Sequence, residues 1–491
     1  MLPTKGWGRR LSSIFLLLLW IIPTGITLGY YAIDDTIMHT TDFWVVFDTN
    51  ASEASGFLST VPLKSFLLCG FWLLATLFTL ILSNKNAGTY PPHTKTIWRY
   101  SAYLIAPIVV VCSFIYPFRL LNSLPDFSRS IGSYIEVNRI NLEVYGNREA
   151  IDKEAYCKLD STIKKTFVIV IGESASRLHY GLYGYPRNTT PRLDSIREEL
   201  SVFKDVISPA AHTMAAMKDI LTFSTYESPE RDRHEATLIE LLKSAGYRTI
   251  WIDMQGTRDS DEYLPATYRV IARMCDYFLA INETTHDLPL LPVYREECIE
   301  DTAQNKVIFL HLQGSHMGAY SDRYPSEFEV FKPTDKIPSK FYSEMNKKDI
   351  AKVNAYDNSI YFNDFILSEI ISELREEEGL SAFLYFSDHG EEVFDYRNYS
   401  GRSLEKGSVA LCQVPFILWR NDKHIEQVPL SIDEYRPYCT DDVIHAILEL
   451  SGVEYNAKDS TRSIFNAAFR PKKRMMQGYE YSSLIGAEKI N

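Results

Sequence analysis

The run FVIVIGES ends an apolar segment with a glycine, a carboxylate and a hydroxyl, at Gly172, Glu173 and Ser174. These residues resemble the start of a nucleophile elbow, the sharp turn that presents a catalytic serine for attack. That motif needs a glycine two residues after the serine, and this position is Ser176. We therefore disfavour a serine hydrolase and consider a functional role for the carboxylate of Glu173 instead. The plain alternative is that Gly172 and Glu173 only form a turn after the strand.

Two other apolar runs end in residues of related chemistry. KVIFLHL is followed by QGSH, which contains His316, and SAFLYFS is followed by Asp388 and His389 in the sequence DHGEE. Zinc accepts carboxylate oxygen and imidazole nitrogen readily, and it can leave one coordination position open for a substrate. Taken alone, His316 is compatible with a hydrogen-bonded loop histidine. The shared place of these residues after apolar runs predicts a divalent-metal site.

The elements that must position these residues are buried strands. Helical patterns such as EATLIELLKSAG separate the apolar runs. The runs cover residues 167–171, 247–252, 306–312, 381–387 and 414–419. Continuous apolar strands that alternate with helices predict an α/β fold with a mostly parallel sheet, covered on both faces. In such sheets ligand sites form at the carboxyl ends of the strands, where the reactive residues lie.

The first quarter of the chain has a different composition. Three runs without a charged residue, at about 12–33, 65–84 and 100–118, approach the ~20 residues that cross a bilayer. We interpret residues 1–120 as a membrane domain with three transmembrane helices and an outer loop at 34–63. No small-x-small cleavage site follows the first run, which favours a retained anchor over a signal peptide.

The orientation of this membrane domain follows from its loops. Lys5, Arg9 and Arg10 precede the first span, and basic residues also lie between the second and third spans. The outer loop carries acidic residues and no lysine or arginine. The positive-inside rule then places this loop, and everything after the third span, outside the cytoplasm.

Charge and cysteine content narrow the functional classes further. A net charge of −12 argues against a nucleic-acid partner. Of the seven cysteines, an odd number follows the third span, and an oxidising compartment permits one or two bridges among them. Cys275 with Cys298 is our first expectation for a disulfide, although spacing alone does not fix the pairing. No Cys-x-x-Cys pair suggests a thiolate zinc site.

Four motifs together carry a family resemblance: GESASRLHYGLYGYPRNTTP, SPAAHTMAAMKDILTF, HLQGSH and YFSDHGEEVFD. With the membrane spans, they resemble the phosphoethanolamine transferases, bacterial inner-membrane enzymes that modify lipopolysaccharide. These enzymes belong to the alkaline phosphatase/sulfatase superfamily. The form DHGEEVFD is closer to the branch that modifies core heptose than to the lipid A branch.

The resemblance has implications for fold and location. It implies an alkaline phosphatase/sulfatase-like α/β/α domain at 161–491, in the periplasm of a Gram-negative cell. The polar stretch 121–160 is interpreted as a connector near the membrane surface. The bilayer itself is thus an expected partner.

The resemblance also implies roles for single residues. The family holds zinc with a glutamate, a nucleophilic threonine and an Asp-His pair, which match Glu173, Thr213, Asp388 and His389. Thr213 lies about 40 residues after the glutamate, as in the family, whereas residue types alone would make it a helix N-cap. His316 matches the histidine that assists near the zinc as acid, base or ligand to a second metal. One zinc ion is expected, and a second is left open.

The family's reaction supplies the expected substrates. Its donor is phosphatidylethanolamine, and its acceptor is lipopolysaccharide, here with core heptose favoured. The threonine would carry phosphoethanolamine covalently between the two. Residues matching the family's donor-headgroup site are Thr49, Asn50 and Glu53 in the outer loop, and less directly Gln255 and Arg258. Without the resemblance, the outer-loop residues would be read as a solvated amphipathic helix.

The region after DHGEE departs from the family pattern. It reads DYRNYSGRSLEKGS and contains no histidine where the family commonly has one. Arg402 is expected nearby as a fixed positive charge for the substrate, although it neither binds metal nor shuttles protons at neutral pH. The group that protonates the leaving oxygen therefore stays open. With Glu173 as a metal ligand, Ser174 is expected to be a bystander in its turn.

Other functions stay open at this point. A membrane-anchored phosphoglycerol transferase would keep the same residues but bind a glycerol headgroup, and a phosphatase or a sulfatase would share the superfamily. Sulfatases mature a cysteine or serine in a C/S-x-P-x-R motif, which the sequence lacks. A degenerate domain that assists membrane assembly is a non-enzymatic alternative. The intact set of Glu173, Thr213, Asp388 and His389 argues against it.

Overall fold

The computed structural model describes scattered positions between residues 25 and 148, and most of the chain from residue 151 onward. The later part covers residues 151–255, 267–281, 284–317, 320–402, 408–476 and 478–488. The chain divides into two compact units, Met1–Ile140 and Asn141–Asn491. Several predicted features lie outside the described residues, namely Thr49, Asn50, Glu53, Arg258, the span 100–118 and most of the span 12–33.

In the first unit, helix α1, Leu63–Asn86, covers the second predicted span, residues 65–84. Several of its apolar side chains are exposed, among them Leu67, Phe71 and Leu74. Among the helices in the described part of the chain, none combines the length and the hydropathy of a candidate membrane span.

The second unit is an α/β structure. Its helices are α2 (Pro191–Ser195), α3 (Thr213–Leu221), α4 (Arg231–His234), α5 (Leu238–Ser244), α6 (Thr267–Ala272), α7 (Leu290–Val293), α8 (Lys347–Arg375), α9 (Asp422–Gln427), α10 (Val443–Leu450) and α11 (Tyr481–Glu488). The long helix α8 begins with a capping box. The Asn346 side chain accepts from the backbone N–H of Asp349, and the Asp349 carboxylate accepts from that of Asn346.

A seven-stranded sheet forms the centre of this unit. Its strands are β1 (Lys165–Gly172), β2 (Leu200–Val202), β3 (Arg248–Asp253), β4 (Tyr277–Ala280), β5 (Asn305–His311), β6 (Leu380–Ser387) and β7 (Phe416–Arg420). Their order across the sheet is β2-β7-β6-β1-β5-β3-β4. Strand β7 pairs antiparallel with both neighbours, whereas the pairs from β6 to β4 are parallel. The prediction of a mostly parallel sheet is therefore confirmed.

Four two-stranded pairs of short strands complete the described sheet structure. They are Tyr156–Cys157 with Val453–Glu454, Val206–Ile207 with Tyr438–Cys439, Glu392–Val393 with Ser400–Gly401, and Met475–Met476 with Tyr479–Glu480. The Glu392–Val393 pair directly follows the Asp388-His389 motif.

Both faces of the central sheet are covered, as the continuous apolar strands predict. Along β1, Phe167, Ile169 and Ile171 pack into one hydrophobic core, whereas Val168 and Val170 pack into another. This alternation follows from the two-residue period of a strand. Helices α3 and α10 contribute to the first core, and α8 contributes to the second.

The expected disulfide between Cys275 and Cys298 is wrong. Both cysteines are free and buried. Cys275 belongs to the core on one face of the sheet, and Cys298 belongs to the core on the other. The sheet thus separates the two thiols, and burial raises the pKa of each to about 12.

Candidate metal and nucleophile site

Glu173 lies at the carboxyl end of β1, in a turn with tightly packed backbone. A Cβ at Gly314, where φ is +53°, would lie 2.7 Å from the carbonyl oxygen of Glu173. The backbone N–H of Ser315 donates to that same oxygen at 2.9 Å. The QGSH motif after β5 therefore holds the Glu173 backbone, and only glycine permits the close approach at position 314.

The Glu173 carboxylate is fully buried and accepts hydrogen bonds at both oxygens. Oε2 accepts from Thr213 Oγ1 at 2.9 Å and from Gln255 Nε2 at 2.9 Å, and Oε1 accepts from the Ser174 hydroxyl. Burial alone would raise the pKa of Glu173. His389, His316 and Arg402 outweigh this effect and hold the pKa of that carboxyl well below its ordinary value. The group is thus an anion poised to bind a cation.

Thr213 is the first residue of α3, directly after the N-cap His212, rather than the N-cap that its type suggests. Its Oγ1 lies 3.4 Å from His389 Nε2 in addition to the contact with Glu173. The backbone N–H groups and the dipole of a helix N-terminus favour negative charge there. An oxyanion or a phosphoryl group at Thr213 would therefore be stabilised.

Asp388 and His389 follow β6, the neighbour of β1. Asp388 Oδ1 accepts from the backbone N–H groups of His389 at 2.7 Å and of Ser174 at 3.3 Å. Its other oxygen, Oδ2, is buried without a hydrogen-bond partner among the described residues, and it lies 3.6 Å from His389 Nε2. Burial, and then the negative charge of Glu173, raise the pKa of Asp388 to about 6. An unpaired buried carboxylate oxygen is costly unless a cation or donor is bound to it.

The imidazole of His389 is oriented by the main chain. Nδ1 lies 2.8 Å from the carbonyl oxygen of Gly390, which leaves Nε2 to face Thr213 and, at 3.4 Å, Glu173 Oε1. Burial would lower the pKa of His389, but the carboxylates of Asp388 and Glu173 raise it. Metal-ligating histidines characteristically bind through one nitrogen while a carbonyl or carboxylate orients the other.

These residues fit a divalent metal ion. Single ligand atoms of Glu173, Asp388 and His389 all lie within 4.8 Å of one another, and all three residues are buried. Two carboxylates and an imidazole, with the Thr213 hydroxyl beside them, form a donor set that zinc accepts. Asp388 Oδ2, which accepts no hydrogen bond from the described residues, is an atom to which such an ion could bind.

Arg402 lies at the same site. Its Nη1 is 3.2 Å from His389 Nε2, its Nη2 is 3.6 Å from Glu173 Oε1, and its Nε donates to Glu391 Oε2 at 3.1 Å. Glu391 was not singled out as a site residue from the sequence, although it belongs to the DHGEE motif. The guanidinium is thus held in place by one carboxylate while it borders two candidate metal ligands.

The structure gives hydrogen-bond contacts for the side chains of His316 and Gln255, two further residues predicted from the sequence. The His316 Nδ1 lies 2.9 Å from the carbonyl oxygen of Met317, and burial lowers the pKa of the ring to about 3. The Gln255 amide donates to Glu173 Oε2 and to the carbonyl oxygen of Leu312 at 3.2 Å. Gln255 therefore contacts the candidate metal ligand Glu173, whereas the sequence predicts a contact with the donor headgroup.

Ser174, which the sequence predicts to be a bystander, contacts two of the candidate metal ligands. Ser174 is completely buried, and it bonds Glu173 through its hydroxyl and Asp388 through its backbone N–H. Its backbone adopts a positive φ, which residue type alone does not signal for serine.

Comparison with known proteins gives a consistent result. Residues 165–453 match the sulfatase family. Phosphoethanolamine transferase EptC of Escherichia coli (strain K12) is 29% identical over 97% of this chain and 86% of its own length. The crystal structure of the C-terminal periplasmic domain of E. coli EptC is 30% identical, with a TM-score of 0.63, over 68% of this chain and 98% of that domain. The same domain solved in complex with zinc is 29% identical, with a TM-score of 0.61, over 68% and 95%. The resemblance predicted from the motifs is confirmed.

Proposed function

We propose that this chain, which belongs to the sulfatase family, transfers phosphoethanolamine from phosphatidylethanolamine to lipopolysaccharide. Core heptose is the favoured acceptor. The similarity to E. coli EptC, named a phosphoethanolamine transferase, supports the transferred group. The zinc complex of the E. coli domain supports zinc as the metal.

One observation carries the proposal above all others. The Thr213 hydroxyl lies within 3.4 Å of two candidate metal ligands, Glu173 and His389, at the start of a helix. A threonine hydroxyl is a weak nucleophile unless a metal or a base activates it. This geometry therefore suits a covalent transfer through threonine better than direct attack by water.

The first half of the reaction forms a threonine ester. Thr213 Oγ1 attacks the donor phosphorus and gives up its proton, the bond from phosphorus to the diacylglycerol oxygen breaks, and one proton is returned to that oxygen, which leaves as diacylglycerol. In the second half, an acceptor hydroxyl attacks the same phosphorus, the bond from phosphorus to Thr213 Oγ1 breaks, and the proton that the acceptor releases restores the Thr213 hydroxyl by way of His316. Glu173, Thr213, Asp388 and His389 would hold zinc, which would lower the pKa of the attacking hydroxyl and neutralise charge on the phosphoryl oxygens.

Two fixed features of the chain stabilise the negative charge that develops on phosphorus-bound oxygens. The N-terminus of α3 directs backbone N–H groups toward the group carried by Thr213. Arg402 supplies a permanent cation next to Glu173 and His389, held by Glu391. Both are preorganised, so they need no rearrangement during the reaction.

His316 is proposed as the acid–base group. In the absence of substrate its imidazole is neutral at pH 7, because burial lowers its pKa to about 3. A phosphoryl group bound at Thr213 would bring negative charge close and raise that pKa. The imidazole would then accept a proton from the acceptor hydroxyl.

The donor is a lipid, which favours attachment of the enzyme to a bilayer. We propose that the predicted membrane domain, residues 1–120, anchors the chain in the inner membrane of a Gram-negative cell, with the catalytic domain in the periplasm. The exposed apolar side chains along α1 support a lipid environment for this helix. Thr49, Asn50, Glu53 and Arg258 are proposed to bind the donor headgroup, and Glu53 would pair with its ammonium.

Mass spectrometry of lipopolysaccharide tests the proposal. Cells lacking the gene are complemented with the wild type, with Thr213→Ala or with Thr213→Ser. We expect phosphoethanolamine on lipopolysaccharide with the wild type, none with Thr213→Ala, and partial restoration with Thr213→Ser, which keeps a hydroxyl. Equal phosphoethanolamine content in cells with the wild type and with Thr213→Ala would contradict the transferase function.

The headgroup is tested separately with purified full-length protein. The chain is incubated with vesicles of phosphatidylethanolamine or of phosphatidylglycerol, and its intact mass is measured. A phosphoethanolamine adduct that is absent in Thr213→Ala supports the proposal. A phosphoglycerol adduct would instead assign the chain to the related phosphoglycerol transferases.

A further inference from the structure

Ser174 is a residue with an unfavourable backbone conformation. Its φ is +56°, in the left-handed region, and in the described part of the chain only Phe394 shares a positive φ among residues other than glycine. Serine in this conformation is energetically costly, whereas glycine is not. Such strain persists only where the surroundings enforce it, and it concentrates at functional sites.

The conformation gives Ser174 contacts with two candidate metal ligands at once. Its hydroxyl donates to Glu173 Oε1 at 2.5 Å, and its backbone N–H donates to Asp388 Oδ1 at 3.3 Å. Oε1 is thereby occupied on one side, so that Oε2 faces Thr213. A glycine at this position could adopt the same backbone but would lack the hydroxyl.

The surrounding structure enforces this conformation. The Tyr356 hydroxyl, on α8, donates to the carbonyl oxygen of Ser174 at 2.7 Å and accepts from the backbone N–H of Ser176 at 2.9 Å. The backbone N–H of Ala175 donates to Ser387 Oγ at 3.0 Å. Helix α8 and the end of β6 therefore clamp the turn from both sides.

The geometry points to Ser174 as a positioning residue that orients the Glu173 and Asp388 carboxylates for metal binding. This inference rests on the proposed function, because it assumes that the two carboxylates hold zinc. Without the hydroxyl, the Glu173 carboxylate can rotate away from Thr213 and His389. Loss of such an outer contact characteristically weakens metal affinity by ~10–100-fold.

The test compares three variants of the full-length chain, Ser174→Gly, Ser174→Ala and Ser176→Ala. Ser176 is a matched control, because it is equally buried, but among the described residues its hydroxyl accepts only the backbone N–H of Leu178, at 3.4 Å. For each protein, the zinc dissociation constant is measured by competition with a chelator. The unfolding temperature is measured in the zinc-free state.

We expect Ser174→Gly to bind zinc ~10–100-fold more weakly than the wild type, with an equal or higher zinc-free unfolding temperature. Ser174→Ala should show the same loss of zinc affinity. Its unfolding temperature should be lower than that of Ser174→Gly, because alanine at a positive φ is strained and glycine is not. Ser176→Ala should bind zinc like the wild type.

The outcomes distinguish a failure of the role inferred for Ser174 from a failure of the proposed zinc site. If Ser174→Gly binds zinc as tightly as the wild type, Ser174 is only structural and the inference is overturned. If the wild type itself binds no zinc, the proposed metal site fails, whatever the variants do. The glycine variant keeps the test decisive even if the alanine variant does not fold.

Discussion

Two buried charge clusters begin within the same stretch of sequence, yet they differ in how their polar atoms are satisfied. The metal cluster consists of Glu173, Asp388 and His389. The second, which we term the His179 network, consists of His179, Tyr185, Arg187, Asp357 and Asp395. Glu173 and His179 are only six positions apart in GESASRLHYGLYGYPRNTTP.

In the His179 network, the central groups are fully paired. The Nδ1 of His179 lies 2.6 Å from Asp357 Oδ1, and its Nε2 lies 3.3 Å from Asp395 Oδ2. The second Asp357 oxygen accepts from Tyr185 at 2.9 Å and from Arg187 at 2.6 Å. These contacts fasten the loop after β1 to α8, which carries Asp357.

The metal cluster is incomplete by comparison. Asp388 Oδ2 has no hydrogen-bond partner among the described residues and only a 3.6 Å contact with His389 Nε2, and the neighbouring Ser174 has a strained backbone. A fully paired buried network rigidifies a fold, whereas an unpaired buried carboxylate destabilises it. The difference is the one expected if the His179 network stabilises the fold and the metal cluster binds a cation, as proposed above.

Asp388→Asn should produce the largest effect and sharpen this difference. It replaces a charged ligand with a weaker one, so we expect transfer activity to fall by about 10³-fold or more, given the several kcal/mol that a metal contributes. The zinc-free variant should be as stable as the zinc-free wild type or more stable, because one of two buried like charges is gone. Activity is measured by adduct formation, and stability by urea unfolding with chelator present.

Chelated wild type serves as the control for Asp388→Asn. It should lose activity to a similar degree and regain it when zinc is added back. A marked loss of zinc-free stability in Asp388→Asn would instead place Asp388 among the structural residues and remove the contrast between the clusters.

Asp357→Asn should lower the stability of the fold and leave zinc binding unchanged, the opposite of Asp388→Asn. It removes the charge that pairs with both His179 and Arg187, and breaking a buried ion pair costs ~3–5 kcal/mol of unfolding free energy. Zinc affinity per folded molecule should stay unchanged. Urea unfolding measures the first quantity, and chelator competition measures the second. Glu327→Gln, at an exposed carboxylate, is the control, with an expected change within ~0.5 kcal/mol.

A large loss of zinc affinity in Asp357→Asn, without a loss of stability, would show that the two clusters are not independent. The shared stretch after β1 would then transmit changes from the His179 network to Glu173. The His179 network and the metal cluster would then form a single extended site.

The parts of the fold that sequence predicted are those with long apolar runs. Strands β1, β3, β5, β6 and β7 lie within one or two residues of the predicted runs, because two-sided burial requires nearly every residue to be apolar. The edge strands β2 and β4 were not predicted, since three and four residues are too few for a distinct pattern. The antiparallel direction of β7 also depends on long-range pairing.

The candidate site was predictable only in part. The placement of Glu173, Asp388 and His389 at strand ends followed from the runs before them, whereas Thr213 came from the family resemblance alone. The contacts of Ser174 with Glu173 and Asp388 were missed because its left-handed backbone is imposed by tertiary contacts, above all with Tyr356. The Cys275–Cys298 pairing failed because spacing along the chain does not reveal which face of a sheet a residue occupies.

The pH dependence of stability gives the finest test of the His179 network. Burial would lower the pKa of His179, but Asp395 and Asp357 outweigh it and raise the pKa to about 10. The unfolded chain has a histidine pKa of ~6.5, so the folded state binds the extra proton between these values. The stabilisation is therefore fully present below about pH 6.5 and is lost as the pH rises through about 10, at no more than ~1.4 kcal/mol per pH unit.

His179→Gln lacks this proton, so its deficit in unfolding free energy relative to the wild type should shrink from pH 6 to pH 10, with chelator present throughout. A deficit independent of pH would mean that His179 is neutral in the folded protein, and the network would then be an ordinary hydrogen-bonded contact rather than a buried ion pair.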